Sequence, residues 1–274
     1  AEYFSAIYGW WKNFKNPPKD AESRTWHQVF PAPDNPALAM ENWVQFPEDA
    51  WKISDGRART LKTTKGIEYY LVTPGEMIGP ADDFRVEYTA RAEAEPHDLS
   101  LVVGGRVDRR PEETTFAGRP EDRGYCFAFG AGANAVTELQ RAMLPVVNSN
   151  GVRIIQGRNH LCEAERVGGL IRFTVDGQEA YRYVDPLPLF ERGSGYVGLY
   201  CYAADHVFWD VKVFTRPTVM TREMKKKISQ YRRKMLPVRR PDGSSRWIEA
   251  CHLGSTMFLL KDMSLDASRK PKKK

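Results

Sequence analysis

The stretch EAEPHD places Glu93, Glu95 and Asp98 within six residues, with His97 among them. Two carboxyl groups about 5 Å apart serve a retaining glycosidase as nucleophile and acid/base, so glycoside hydrolysis is the chemistry these residues could do. Pro96 works against it, because it interrupts the strand whose alternation would turn the carboxyls to one face. A second cluster, HLCEAER, offers His160, Glu163 and Glu165. On a strand of period two, His160 shares a face with Cys162 and Ala164 while both glutamates project from the other, so the three cannot converge. There is no Gly-x-Ser-x-Gly elbow, His-Glu-x-x-His pair or glycine-rich phosphate loop. No catalytic residue is assigned. The histidines are scattered and no Cys-x-x-Cys pair occurs, so neither a metal site nor a cofactor is expected, although loop Asp and Asn residues could take calcium.

Binding without catalysis asks for aromatic planes and a few polar groups on one surface. Alternation puts Tyr125, Phe127 and Phe129 on one face opposite Cys126, and Tyr196, Tyr200 and Tyr202 on one face opposite Val197, Leu199 and Cys201. Tyr125, Tyr200 and Tyr202 are therefore candidate carbohydrate contacts; the competing assignment for each face is a second layer of core. Two further segments suit a protein partner. In the opening AEYFSAIYGWWKNFKNPPKD, Tyr3, Ile7, Trp10 and Phe14 fall at helical spacing, with Trp11 and two lysines beside them, before Pro17-Pro18. Such a segment could lie at a membrane interface, enter a partner groove or fold back over the body. In TREMKKKISQYRRKM and the Met220 before it, Met220, Met224, Ile228, Tyr231 and Met235 make one helical stripe, and Lys225, Lys226, Lys227, Arg232 and Arg233 cover the rest. This pattern predicts a basic amphipathic helix stopped by Pro237.

The charge is uneven along the chain. Residues 215–274 carry 17 Lys/Arg against 5 Asp/Glu, an excess of about twelve that leaves about −6 on the rest of the chain. A tail of that sign grips something acidic: an assembly, an anionic membrane surface, nucleic acid or the body itself. No RNA-recognition, zinc-finger or P-loop pattern accompanies it, so nucleic acid is the minor reading. No run of about 18 apolar residues without charge occurs. The opening AEYF fits removal of Met before Ala and cleavage of a signal peptide equally well, which leaves the compartment open.

These residues need strands to position them. In DFRVEYTARA, Phe84, Val86, Tyr88 and Ala90 face one way and Arg85, Glu87, Thr89 and Arg91 the other. LSLVVGG, GYCFAFG, HLCEAER, LIRFTVDG, GYVGLYCYA and VFWDVKVF repeat the pattern between Gly, Pro and Asp turns. Asp55-Gly56 and Asp176-Gly177 are hairpin dipeptides that tolerate positive φ. In VFWDVKVF the alternation predicts Val207, Trp209, Val211 and Val213 as the inward set, with Trp209 in the core. Cys126, Cys162 and Cys201 fall inside strands, where a lone thiol acts as a small buried apolar group. An all-β, antiparallel jelly-roll sandwich follows, with few or no helices.

The motifs W-x-I-x-D-G, D-F-R-V-E-Y-x-A-R, G-Y-x-F-x-F-G, H-x-x-x-A-E-R-x-G-G-x-I-R-F-x-V-D-G-Q and G-Y-V-G-L-Y followed by F-W-D-V-K-V-F resemble the concanavalin A-like lectin/glucanase superfamily. The resemblance spans about residues 42–216 and is nearest to laminin G-like domains and the bacterial 3-keto-disaccharide hydrolase-like domain. It implies a sandwich, and either carbohydrate binding or action on glycosides. The glucanase branch carries a Glu-x-Asp-x-x-Glu pattern on one strand, from which EAEPHD departs in residue type and setting.

The expected organisation is an aromatic N-terminal arm (1–41), a sandwich (42–216) and a basic extension with an amphipathic helix (217–274). The expected function is a non-catalytic structural or interaction subunit, clamped by its extensions to a larger assembly with an acidic surface at a membrane. Its partner-contact residues are then Trp10, Trp11, Phe14, Met224, Lys225, Lys226, Lys227, Ile228, Tyr231, Arg232 and Arg233. The alternative is a carbohydrate-binding module or a glycoside hydrolase.

Overall fold

A computed structural model of the chain describes residues 25–61, 68–79, 82–105, 124–141, 144–185, 195–202, 205–218, 235–239 and 245–249. The strands are β1 (His27–Phe30), β2 (Val44–Phe46), β3 (Trp51–Ser54), β4 (Arg57–Thr60), β5 (Tyr69–Val72), β6 (Asp82–Ala92), β7 (Ser100–Gly105) and β8 (Tyr125–Gly130). They continue with β9 (Val136–Arg141), β10 (Leu144–Ser149), β11 (His160–Val167), β12 (Leu170–Val175), β13 (Gln178–Val184), β14 (Tyr196–Cys201) and β15 (His206–Pro217). Two antiparallel sheets result. One has the order β13-β12-β11-β6-β15-β4-β3, with β1 paired to β15, and the other β10-β9-β8-β7-β14-β5-β2. Both belong to a compact unit spanning Trp11–Val219, whereas β16 (Met235–Arg239) and β17 (Ser245–Glu249) form an antiparallel hairpin in a second unit.

Alternation explains the layers. Phe84, Val86, Tyr88 and Ala90 of β6 are all buried, as are Leu101, Phe127, Phe129 and Leu199 on the facing sheet. Rings lock across the gap, with Phe84 edge-on to Phe127 at 6.2 Å and Phe127 tilted against Phe173 at 5.9 Å. Each such side chain contributes roughly 1.5–3 kcal/mol on burial. Strand β1 lies within the span expected to be an arm, yet it joins the sheet, and Phe30 packs on Trp43 at 5.2 Å in the core.

The hairpin turns form where the dipeptides placed them. Asp55 and Gly56 (φ 53° and 67°) join β3 to β4, and Asp176 and Gly177 (φ 52° and 78°) join β12 to β13. The second turn also anchors β11: Asp176 Oδ1 accepts from the Leu161 N–H at 2.9 Å, and its Oδ2 lies 3.0 Å from His160 Nδ1. His160 is buried and Glu163 and Glu165 lie on the opposite face of β11, so these residues do not converge. Cys126, Cys162 and Cys201 are buried, and burial pushes the Cys162 thiol up.

Trp209 is a correction. The register of β15 against β6 slips between Trp209 and Lys212 at Asp210, whose φ is +52°. This bulge absorbs one residue and inverts the alternation, so Phe208 takes the inward place before it and Val211 and Val213 after it. Trp209 is turned to the outer face and is half-buried. The helix expected over TREMKKKISQYRRKM meets a second correction at its end, where Met235 begins a strand that also contains Pro237. The rest of that segment lies outside the described residues. β16 and β17 pair on either side of the stretch that holds Pro241-Asp242-Gly243.

Candidate functional site

The outer face of the seven-stranded sheet carries two cross-strand rows. Pairing aligns Phe46, Tyr70, Tyr200 and Ser100 on β2, β5, β14 and β7. Extending the same register brings Ala128 and Glu138 into this row on β8 and β9, with Asn148 beyond them on β10. The next row holds Val44, Val72, Gly198, Val102, Cys126 and Gln140. The face is thus aromatic on one flank, small in the middle and polar on the other flank. Tyr70 and Tyr200 stack at 4.8 Å and 28°. Ser100 and Ala128 are buried in the floor, and Gln140 Nε2 donates to Glu138 Oε1 at 2.7 Å. From Tyr200 to Glu138 the sheet crosses three strand spacings, about 14 Å, the length of a short oligosaccharide.

Gly198 keeps this face low. A Cβ there would meet Val72 Cγ2 at 3.1 Å, so any side chain would press on Val72 and raise the floor between Tyr196 and Tyr200. Both tyrosines are half-buried, and Val197, Leu199 and Cys201 on the opposite side of β14 are fully buried. The alternation read from the sequence therefore assigns this strand's faces as they are found.

Just past the ends of β7 and β14 lies a histidine cluster. Tyr202, 37% exposed, stacks on His97 at 4.9 Å. His97 Nδ1 lies 2.6 Å from Oδ2 of Asp98, which is buried and held at φ +43°. The hydrogen bond to Asp98, with that group's charge and Glu95's added, raises the His97 pKa despite partial desolvation. Behind them His206 is fully buried with its Nε2 on the His97 carbonyl, and burial pulls its pKa down. The sequence showed His97 and Asp98 as neighbours in EAEPHD; their coupling to Tyr202 and His206 was not legible, because more than 100 residues separate them.

Two carboxylates of EAEPHD have neighbouring partners. Glu93 is engaged by Arg91 and Asp98 by His97, in a loop that follows the end of β6 at Ala92. Among the described residues no group of three or more His, Cys, Asp or Glu is placed to hold a metal ion. Tyr125, a candidate sugar contact, is fully buried, and its hydroxyl donates to Asp185 Oδ2 at 2.7 Å. Trp10, Trp11, Phe14, Met224, Lys225, Lys226, Lys227, Ile228, Tyr231, Arg232 and Arg233 lie outside the described residues.

No protein-family model matches the chain, and no curated protein does. Solved structures do. The exoplasmic/lumenal domain of VIP36, in a form bound to Ca2+ and Man3GlcNAc, superposes with a TM-score of 0.51 at 9% identity, covering 69% of this chain and 90% of that one. The chain has a concanavalin A-like lectin/glucanase fold. Other similar structures are the carbohydrate-binding module CBM66 from Bacillus subtilis (TM-score 0.37, 11% identity, 64% and 92% covered) and a putative glycosyl hydrolase from Parabacteroides distasonis (0.44, 14%, 69% and 98%). The concanavalin A-like fold orders the strands that carry Tyr70, Tyr200 and Glu138 into one sheet.

Proposed function

We propose that this chain is a carbohydrate-binding module without hydrolytic chemistry, and that the outer face of the seven-stranded sheet is its binding surface. The observation that carries this reading is the row from the stacked Tyr70 and Tyr200, across buried Ser100 and Ala128, to Glu138. A pyranose presents an apolar C–H face and a belt of hydroxyls; Tyr200, half-buried and backed by the buried Tyr70, meets the first and the Glu138–Gln140 pair the second. Similarity in fold to the exoplasmic/lumenal domain of VIP36 in its Man3GlcNAc-bound form supports it. The engagement of Glu93 by Arg91 and of Asp98 by His97 argues for capture rather than cleavage. A glycan array at low and high salt, followed by calorimetry on the best ligand, tests it. Binding that survives high salt is the expected result, because stacking is screened far less than ion pairing.

A second reading rests on charge. The excess of about twelve positive charges over residues 215–274 suits docking to an acidic partner, with steering by charge and retention by Met224, Ile228 and Tyr231. In that reading the module is delivered to its sugar by a larger assembly, and Trp10, Trp11 and Phe14 are further contacts.

A further inference from the structure

The opposite face of the molecule carries a feature that sugar binding on the tyrosine row does not use. On the outer face of the eight-stranded sheet, Lys52 on β3, Arg57 on β4, Lys212 on β15 and Arg85 on β6 each stand one strand over and one row down from the last. Lys52 pairs with Arg59, two residues from Arg57; Arg57 pairs with Trp209; Lys212 pairs with Glu87, two residues from Arg85. Diagonal neighbours in a sheet are about 7–8 Å apart. The four cations therefore form a straight stripe across four adjacent strands. The bulge at Asp210 is what brings Lys212 into line.

Three of the four have no carboxylate partner among the described residues. Lys52 and Lys212 are exposed, and Arg57 has only the ring of Trp209, 5.1 Å from its guanidinium carbon. Arg85 pairs with Glu87 at 3.1 Å and packs on Phe214 at 4.6 Å and Trp26 at 5.4 Å. A guanidinium on an aromatic face keeps its in-plane N–H donors free, already oriented for a carboxylate or sulfate. Most other cations nearby are neutralised: Arg59 by Asp205 at 3.0 Å, Arg91 by Glu93, and Arg172 by Glu165 at 2.5 Å. Among the described residues of this face, the charge without a carboxylate partner is thus concentrated on Lys52, Arg57 and Lys212.

We infer that this stripe binds a single linear anionic polysaccharide, bearing carboxylate or sulfate groups, as a second site on the face opposite the tyrosine row. The width of the stripe selects the occupant. Glu87 and Glu163, paired across β6 and β11, border it, and a duplex resting there would bring its second row of phosphates over those carboxylates. Single-stranded nucleic acid needs open ring faces for its bases, but Trp209 carries Arg57 and Arg91, and Trp26 carries Arg85 and Arg216. A one-chain-wide polyanion that needs no stacking meets both limits.

The test uses the full chain, so that the C-terminal charges contribute equally to parent and variant. A heparin oligosaccharide and an oligogalacturonate are titrated against the parent and the triple variant Lys52→Gln/Arg57→Gln/Lys212→Gln, with neutral dextran, an oligo(dT) and phosphatidylserine vesicles as comparisons. The substituted positions lie on the outer face, so the melting temperature stays unchanged. The triple variant is expected to bind the anionic oligosaccharides roughly tenfold more weakly, with a shallower dependence on salt, since fewer counterions are released. In the parent, either oligosaccharide protects Lys52 and Lys212 from acetylation. Equal affinity in parent and variant, or acetylation of both lysines unaffected by ligand, would overturn the site. Oligo(dT) or vesicles that bind as tightly, with the same dependence on these three residues, would overturn its assignment to a polysaccharide. Tyr200→Ala leaves this binding intact, so failure here is separable from failure of the tyrosine row.

Discussion

Asp185 keeps a carboxylate with no exposed surface at one end of the sandwich, where it accepts from the Tyr125 hydroxyl and from Arg141 Nε, both at 2.7 Å. Removing one partner of such a group leaves the others desolvated and unpaired, so Asp185→Ala should destabilise the fold by about 3–5 kcal/mol in urea unfolding. At the other end, His97 is raised by Asp98 and His206 is lowered by burial. A base held above its unfolded value contributes fully below that value, about 6.5, and loses the contribution as pH rises through the folded one. The stability deficit of His97→Gln relative to the parent should therefore be larger at about pH 5.5 than at about pH 9. His206→Gln should show the reverse, relieving a penalty that grows as pH falls below about 6.5. Of these residues the sequence offered only types. Parity put Tyr125 and Tyr200 each on an aromatic face of its strand, but parity does not say which face meets the other sheet, and Tyr125 proved to be core.

Elements were legible wherever a local rule governs them. The two Asp-Gly turns and the faces of β6, β11, β12 and β14 follow from alternation and from tolerance of positive φ. β15 was misread before its bulge, at Phe208 and Trp209, because a bulge is a two-strand property: it depends on how β15 pairs with β6, which one strand's pattern does not encode. Asp210 bears that irregularity in the left-handed region, at φ +52°. Asp210→Val should cost about 1–2 kcal/mol, since a β-branched residue resists positive φ, and Asp210→Gly should be tolerated. Urea unfolding of the two variants checks the contrast, and quenching of Trp209 fluorescence reports whether its ring stays on the outer face.

For the whole molecule, fold and function were legible to different degrees. The sandwich came from period-two patterning repeated along the chain, and the likeness to VIP36 bears it out. The favoured role, a structural subunit of a membrane-associated assembly, came from the terminal segments, most of which lie outside the described residues. The extension should still be separable. β15 ends at Pro217, and Thr218 Oγ1 donates to Asp83 Oδ1 at 2.6 Å, so a chain ended after Thr218 should keep its cooperative unfolding while losing co-purification with any acidic partner. The central claim is tested most directly by calorimetric titration of the best array ligand at high salt into parent and Tyr200→Ala chains. The account predicts that parent binding persists and that the substitution weakens it by roughly tenfold or more, the loss of one aromatic stacking partner. Equal affinity in the two chains, or no salt-resistant ligand at all, would contradict it.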